Sequence, residues 1–273
     1  MSTIKSIAKD WLPPAMARAI QRVRGSSINI HGDYSTWDEA ITQCTGYDSE
    51  RILSKVLEAT LKVKRGEAAY ERDSVLFDQI EYAWPITAGL MWVAAQNDGR
   101  LDVLDFGGAL GSSYFQNRAF LTTLSQVRWS VIEQAHYVQA GREYIQNDTL
   151  RFYSSFDELF FENRPNAILL SSVLQYLPDP EAVLQKIFQS DASVIIIDRT
   201  PFGAGPRDLI CVQNVPDAIY KASYPMRIFS LDVFIELTVG WEIVSKIQCP
   251  EGSLITKSGH LMSYQGFILK RKK

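Results

Sequence analysis

A glycine-rich segment and an acid that follows it have the spacing most informative about chemistry. The segment VLDFGGALG spans residues 103–111, and Glu133 stands 22 residues after Gly111. Glycines let a backbone turn tightly and approach a ligand, and a carboxylate about 20 residues later is placed to accept hydrogen bonds from a ribose diol. The pattern predicts a site for an adenosine-containing ligand. A ligand-free turn and a solvated strand end would explain each feature singly, but explain their joint spacing less well.

Asp105 favours one adenosine ligand over another. The GxGxxG pattern of dinucleotide sites is not met, because Ala109 and Ser112 stand where its second and third glycines would be. An acid two positions before Gly107 gains nothing from a pyrophosphate, whereas it suits a cofactor that carries an ammonium group and a cationic sulfonium. The sequence therefore favours S-adenosylmethionine (SAM).

Polar residues after two later strands are candidates for contact with a methyl acceptor. Asp198 would accept a proton or orient a hydroxyl, and Arg199 would bind a phosphate or carboxylate. An internal ion pair that closes the strand explains this pair equally well. Gln175 and Tyr176 follow another strand, although a loop anchored by Pro178 would use similar residues.

Four further residues, between the fifth and sixth predicted strands, suit a sugar or nucleotide-sugar acceptor through stacking and phosphate contact. They are Tyr220, Tyr224, Pro225 and Arg227. Packing at a seam between elements is the more common use of such residues and is the favoured explanation here.

The elements that must position these residues alternate between short β-branched runs and helical segments. Strands are predicted at 101–106, 127–132, 150–153, 167–171, 193–198, 241–248 and 263–269. Such alternation predicts an α/β, Rossmann-like fold: a seven-stranded, mostly parallel sheet with an antiparallel last strand and helices on both faces. The last two strands are joined without a helix, so an antiparallel hairpin at the sheet edge is expected.

The region before this sheet is predicted to be helical. Apolar residues at helical spacing occupy 37–42 and 51–62, and no strand signal is visible in the first seventy residues. A further apolar-periodic stretch runs from Arg72 to Asn97, with Pro85 expected to kink or restart the helix. We expect a helical leader at 1–73, folded over the cofactor opening as a lid, and a catalytic domain at 74–273.

With these motifs in view, the sequence resembles the class I SAM-dependent methyltransferases over residues 101–198, and by strand pattern to its end. Residues 105–111 are similar to the family's DxGxGxG loop, with alanine at its middle glycine, and 169–180 resemble its fourth strand and the loop after it. The resemblance implies cofactor-binding residues Asp105, Gly107, Gly108, Ala109, Gly111, Glu133, Gln134 and Ser171. It implies catalytic residues Asp198, Arg199 and Tyr176, and no metal.

A closer resemblance is to a bacterial methyltransferase family often associated with surface-polysaccharide gene clusters. Residues 32–40 and 45–48 are similar to its leader, and 198–201, 212–213 and 222–225 to its later signatures. This resemblance implies O-methylation of a small-molecule or glycan-linked acceptor.

The composition argues against several classes of partner, namely nucleic acid, a membrane and zinc. The net charge of -3 offers no basic stripe for nucleic acid, and no window approaches the length of apolar residues that spans a bilayer. Cys44, Cys211 and Cys249 are far apart and form no CxxC motif, which favours a cytoplasmic protein without a disulfide framework or zinc site. No feature sets an oligomeric state.

Two other functions stay open. The first is a protein that keeps the fold without catalysis and serves as a binding or partner subunit, for which Ala109 is the only support. The second is a nicotinamide-dependent enzyme, which the poor dinucleotide pattern and the lack of a suitable Tyr-xxx-Lys pair make the weakest of the three.

Overall fold

The structure is a computed structural model of the 273-residue chain, and it describes residues 29–44, 49–72, 74–214 and 222–272. The motif at 45–48 and Tyr220 lie outside the described residues.

The strands are β1 (Asn29–Tyr34), β2 (Tyr70–Arg72), β3 (Val75–Phe77), β4 (Arg100–Phe106), β5 (Gln126–Ile132), β6 (Leu150–Tyr153), β7 (Ala167–Ser171), β8 (Val194–Gly203), β9 (Leu209–Asn214), β10 (Ser223–Ser230), β11 (Trp241–Ile255) and β12 (Leu261–Arg271). The α-helices are α1 (Trp37–Thr42), α2 (Ser49–Arg65), α3 (Trp84–Gln96), α4 (Ser112–Leu121), α5 (Ala135–Ala140), α6 (Phe156–Glu162), α7 (Pro180–Gln189) and α8 (Leu231–Leu237). A π-helical turn at Gly141–Ile145 extends α5, and a 3₁₀ turn at Leu174–Tyr176 follows β7.

Seven strands form the central sheet in the order β6-β5-β4-β7-β8-β12-β11. The first five are parallel to one another, and β12 lies antiparallel between β8 and β11. Every predicted strand is present, and the expected β11–β12 hairpin occupies the edge. The predicted Rossmann-like α/β fold is therefore confirmed, and the carboxyl ends of β4, β5, β7 and β8 meet at one edge of the sheet, where ligands bind in such folds.

Helices cover both faces of this sheet because its central strands are apolar on both sides. Along β4, Val103 and Leu104 are both buried, yet they belong to two different hydrophobic clusters. Successive side chains of a strand point to opposite faces, so the two clusters lie on opposite sides of the sheet. This burial fixes the position of the strand ends that carry the site.

The region before the central sheet differs from its prediction. Helix α1 lies where it was expected, and α3 begins beside Pro85 in its first turn. However, β1 is a strand, and β2 and β3 form a small hairpin where a helical stretch was expected to begin. These strands are short, and pairing partners distant in sequence hold them, which local periodicity does not report. The division at residue 73 stays a prediction.

Strands β1, β9 and β10 form an antiparallel extension that the sequence did not indicate. It joins the central sheet where Phe229 and Ser230 of β10 pair with Phe202 and Gly203 of β8. The extension therefore starts from the carboxyl end of β8, beside the ligand-binding edge. Within the described residues, no helix is both long and apolar enough to cross a membrane.

Candidate functional site

The site has two sides. The loop side consists of Asp105, the loop 107–111 and Glu133. The strand-end side is formed by residues at and after the end of β7, together with Asp198 and Arg199, which lie within β8 beside that end because β8 continues past its predicted end to Gly203. Both lie at the same edge of the sheet because β4, β5, β7 and β8 are parallel neighbours.

Gly107 turns the chain directly after β4. Its φ is +72°, in the left-handed region that favours glycine, and its N–H donates to the Ile132 carbonyl at 2.9 Å. A Cβ at this position would lie 2.3 Å from Cγ2 of Val173. Glycine is thus required by the turn and by packing against the β7 loop, rather than by open space above the loop.

Asp105 supports the loop from below. Its carboxylate is 1% exposed and accepts a hydrogen bond from Nε1 of Trp129 at 3.0 Å. A Cβ on Gly108 would lie 2.5 Å from that carboxyl group. Burial raises the pKa of Asp105 to about 7, the hydrogen bond from Trp129 lowers it, and the nearby Glu133 raises it. Whether this group also serves a ligand's ammonium stays a prediction.

The far end of the loop opens into α4. Ala109 has a φ of +49° and Gly111 a φ of +92°, and the N–H of Gly111 donates to the Gly108 carbonyl at 2.9 Å. An alanine in the left-handed region costs roughly 1–2 kcal/mol relative to glycine. The loop therefore holds strain at the one position where it departs from the glycine pattern.

Glu133 binds the loop from the end of β5. Its Oε2 accepts the Gln134 N–H at 2.7 Å, and the carboxylate also accepts the Ala109 N–H. Burial raises the pKa of Glu133, and these two N–H groups partly offset the rise. A carboxylate offers about four acceptor positions, so two remain for a diol. Gln134 itself is exposed, and its contribution to this contact is its backbone.

The loop side holds two carboxyl groups without a lysine or arginine partner. Among the residues that the structure describes, neither kind of side chain acts on Asp105 or Glu133, and the basic group that acts on Glu133 is His136. Two desolvated carboxyl groups without a cation gain from a positively charged ligand.

On the strand-end side, Asp198 and Arg199 form an ion pair. Nε of Arg199 lies 3.2 Å from Oδ2 of Asp198, which also accepts the Ser171 hydroxyl at 3.1 Å, and Nη2 of Arg199 lies 3.2 Å from the same Ser171 Oγ. Asp198 is 6% exposed. These three predicted residues are thus brought together, in the geometry of the internal ion pair that was the alternative to a catalytic role.

The junction of β7 and β8 is also strained. Ser172 and Arg199 both have positive φ, +56° and +49°, and the Ser172 N–H donates to the Asp198 carbonyl at 2.9 Å. Gln175 donates to Ser172 Oγ at 3.0 Å and to the Arg199 carbonyl at 3.3 Å. Non-glycine residues with a left-handed φ are found more often at ligand sites than elsewhere.

Tyr176 connects this junction to the antiparallel extension. Its hydroxyl donates to Oε1 of Gln213 at 3.1 Å, and its ring meets Tyr224 edge-on, with centroids 5.1 Å apart. Arg227 lies apart from them: it pairs with Asp208 at 3.3 Å and stacks over Trp37 at 5.9 Å. Alternation along β10 directs the side chains of Tyr224 and Arg227 to opposite faces, so the predicted cluster is divided.

Several solved structures are similar to this chain. The 1,6-didemethyltoxoflavin-N1-methyltransferase of Burkholderia thailandensis, with bound S-adenosylhomocysteine (SAH), is 14% identical with a TM-score of 0.42, over 84% of this chain and 92% of that one. The N-terminal domain of EvdMO1 in the presence of SAH and D-fucose is 12% identical with a TM-score of 0.48, over 83% and 98%.

Magnesium protoporphyrin IX methyltransferase (ChlM) of Synechocystis PCC 6803, with bound SAM, is 12% identical with a TM-score of 0.41, over 98% of this chain and 97% of that one. Neither a protein-family model nor a curated protein matches the sequence. The fold is therefore assigned from the strand order and directions given above.

Three residues of the strand-end side were absent from the sequence predictions. They are Gln213 on β9, Cys249 on β11, whose thiol lies 3.6 Å from Oδ1 of Asp198, and Tyr264 on β12. Gln213 belongs to the signature at 212–213 but was not assigned to the site, and no motif marks the other two. Each reaches the site through pairing of strands far apart in sequence. The alternation of β9 and β12 would have indicated buried side chains, but not what they face.

Proposed function

We propose that this protein is a SAM-dependent methyltransferase acting on a small-molecule or glycan-linked acceptor. The observation that carries the proposal is a pair of desolvated carboxyl groups, buried Asp105 and half-buried Glu133, on either side of a glycine loop at the ligand-binding edge of the sheet. Neither has a lysine or arginine partner among the described residues. SAM bears a cationic sulfonium and an ammonium group, together with the ribose diol that Glu133 is placed to hold.

The residues that would hold SAM fit its chemistry. Glu133 has acceptor positions for the ribose hydroxyls, and the loop 107–111 lies at the strand end, where its glycines let the chain turn closely beside Val173 and Asp105. When bound, SAM supplies a methyl group on an already activated sulfur. The chain then mainly has to align the acceptor and exclude water, which shape and hydrogen bonds can achieve.

We propose that the methyl acceptor binds against three residues of the strand-end side, Asp198, Arg199 and Tyr176. Asp198 fixes the Arg199 guanidinium and the Ser171 hydroxyl, so its first role is to position them. O-methylation in surface-polysaccharide synthesis, and a cytoplasmic location, are proposals that rest on the sequence resemblance. A fold kept without catalysis is the second candidate, favoured by the strained Ala109 in the loop.

Calorimetric titrations of the purified protein with SAM and with NAD, in separate runs, test the proposal. We expect saturable binding of SAM and none of NAD. Binding of NAD alone would replace the proposed function with a nicotinamide-dependent one. Absence of both would favour the partner subunit.

A further inference from the structure

The side chain of Tyr264 is largely buried, and within the described residues its hydroxyl has no hydrogen-bond partner. The residue lies on β12 opposite Pro201 of β8 and is 6% exposed. No described residue forms a hydrogen bond with its hydroxyl, whereas the comparably buried Tyr153 donates to Glu162 at 2.9 Å. The hydroxyl is not one of the described buried polar atoms that lack a partner, so it is open to solvent, and a ligand oxygen can take the place of water there.

The surroundings of this hydroxyl are those of the strand-end side. Tyr176, Glu251 and Arg199 are the groups that act on it electrostatically. Tyr176 itself contacts Gln213 and Tyr224, so these side chains from β9, β10, β12 and the 3₁₀ turn surround one region beside the Asp198–Arg199 pair.

We propose that the Tyr264 hydroxyl donates a hydrogen bond to an oxygen of an uncharged, hydroxyl-bearing acceptor, and so determines which acceptor binds. The inference rests on the proposed function and deepens it. Tyr264 is assigned to recognition of the acceptor, not to removal of its proton.

The charges around Tyr264 favour an uncharged acceptor. Arg199 is already neutralised by Asp198, and Arg227 by Asp208. Glu251 adds a negative charge near Tyr264, so an anionic acceptor would be repelled there. Among the described residues of this region, no other cation is placed to compensate. A polyol or sugar ring meets phenol and amide groups without an ionic cost.

The protonation of Tyr264 agrees with a donor role. Burial raises the pKa of Tyr264 well above its ordinary value, and Tyr176 and Glu251 raise it further while Arg199 opposes them. The hydroxyl therefore keeps its proton at neutral pH and donates.

Stability measurements on two tyrosine variants test whether the hydroxyl is kept for a ligand. Tyr264→Phe removes a group without a partner, so we expect an unchanged or higher Tm. The matched variant Tyr153→Phe loses the bond to Glu162, and we expect its Tm to fall by about 2–4 °C. A comparable fall in Tyr264→Phe would overturn the proposal, because it would mean that the hydroxyl is bonded within the protein.

Crystals of the SAH complex, soaked separately in glycerol and in sodium acetate, test the class of ligand. We expect a glycerol hydroxyl within hydrogen-bond distance of Tyr264, its occupancy at least halved in Tyr264→Phe and unchanged in Tyr153→Phe. Acetate bound there instead, or no glycerol there, would overturn this inference while SAH in its cleft sustained the proposed function. A cleft without SAH would overturn the proposed function itself.

Discussion

The loop side and the strand-end side of the site differ in whether their carboxyl groups are paired with a basic side chain. Asp105 and Glu133 are desolvated, have no arginine or lysine partner among the described residues, and have raised pKa values. Asp198 is buried too, but it is paired with Arg199. A desolvated carboxylate without a partner costs free energy until a cation arrives, whereas in a pair the attraction of the partner offsets part of that cost. The first side is therefore suited to a positively charged cofactor and the second to a neutral acceptor.

The largest expected effect comes from filling the turn of the loop side. In Gly107→Ala, the new methyl group must fit a residue with a left-handed φ and lies against Val173. This should lower the free energy of unfolding by about 2–5 kcal/mol and abolish SAM binding, as measured by calorimetry. Gly66→Ala is the matched control, because Gly66 has a φ of +77° and no atom near its Cβ position. The free energy of unfolding of Gly66→Ala should fall by only about 1 kcal/mol, and this variant should bind SAM normally. Equal affinity in both variants would contradict the role of the loop.

Replacing the two buried aspartates with asparagine should change the free energy of unfolding in opposite directions. Asp105→Asn should stabilise the protein at high pH, and Asp198→Asn should destabilise it. Burial raises the pKa of Asp105 from 3.8 to about 7, so the folded protein keeps a proton that the unfolded chain releases. Stability contributed by that proton is complete below about pH 4 and is lost as the pH rises through 7. Between pH 5 and pH 8 the loss is about 3 kcal/mol. Asp105→Asn should remove this decline and be the more stable protein at pH 8.

Urea unfolding at pH 5, 6, 7 and 8 measures that difference. Asp198→Asn is the comparison on the strand-end side, where losing the partner of Arg199 should destabilise the protein by about 1–3 kcal/mol. If the free energy of unfolding of Asp105→Asn fell between pH 5 and pH 8 as steeply as that of the wild type, the contrast between the two sides would be wrong.

Glu133→Gln weakens the second acid of the loop side. Its single amide oxygen cannot hold the Gln134 and Ala109 N–H groups and a ribose diol together, so SAM affinity should fall by about 1–3 kcal/mol. In the control Glu39→Gln, the altered carboxylate also accepts a backbone N–H, that of Ser35 at 2.9 Å, but lies on α1. Calorimetry should show a loss in the first variant only.

The smallest effect concerns the strained alanine. Ala109→Gly relieves a φ of +49°, and the gain is partly offset by the flexibility of glycine in the unfolded chain, leaving about 0.5 kcal/mol of added stability. Ser74→Gly, at a φ of +66° on the β2–β3 hairpin, should gain similarly. Affinity for SAM should be equal or higher in Ala109→Gly and unaltered in Ser74→Gly. Weaker binding in Ala109→Gly would mean that alanine is required there.

The loop side was predicted from sequence because it is local. A strand, a glycine turn, a helix and a second strand follow one another within residues 100–133, and parallel pairing of β4 with β5 then brings Glu133 to the loop. Short-range periodicity and turn chemistry report such a unit directly. The sequence did not indicate that Asp105 lies under Gly108, bound to Trp129, because that depends on packing beneath the loop.

The strand-end side was predicted only in part because it is assembled over long distances. Asp198 ends one predicted strand, Arg199 follows it and Tyr176 follows another. Gln213, which bonds Tyr176, and Tyr264 come from strands whose pairing with distant elements no local pattern reports. The antiparallel extension was missed for the same reason, since β1 pairs with β9 across most of the chain.

The sequence by itself determined the class of the sheet, the order of its elements and the glycine–acid unit, since these follow from hydrophobic period and from the backbone freedom of glycine. Tertiary structure alone decided which carboxyl groups are paired with cations and which are left desolvated. It also decided that the hydroxyl of Tyr264 has no partner among the described residues. Burial and pairing arise only when strands distant in sequence are brought into register, because electrostatic interactions depend on distance in space and on exclusion of water.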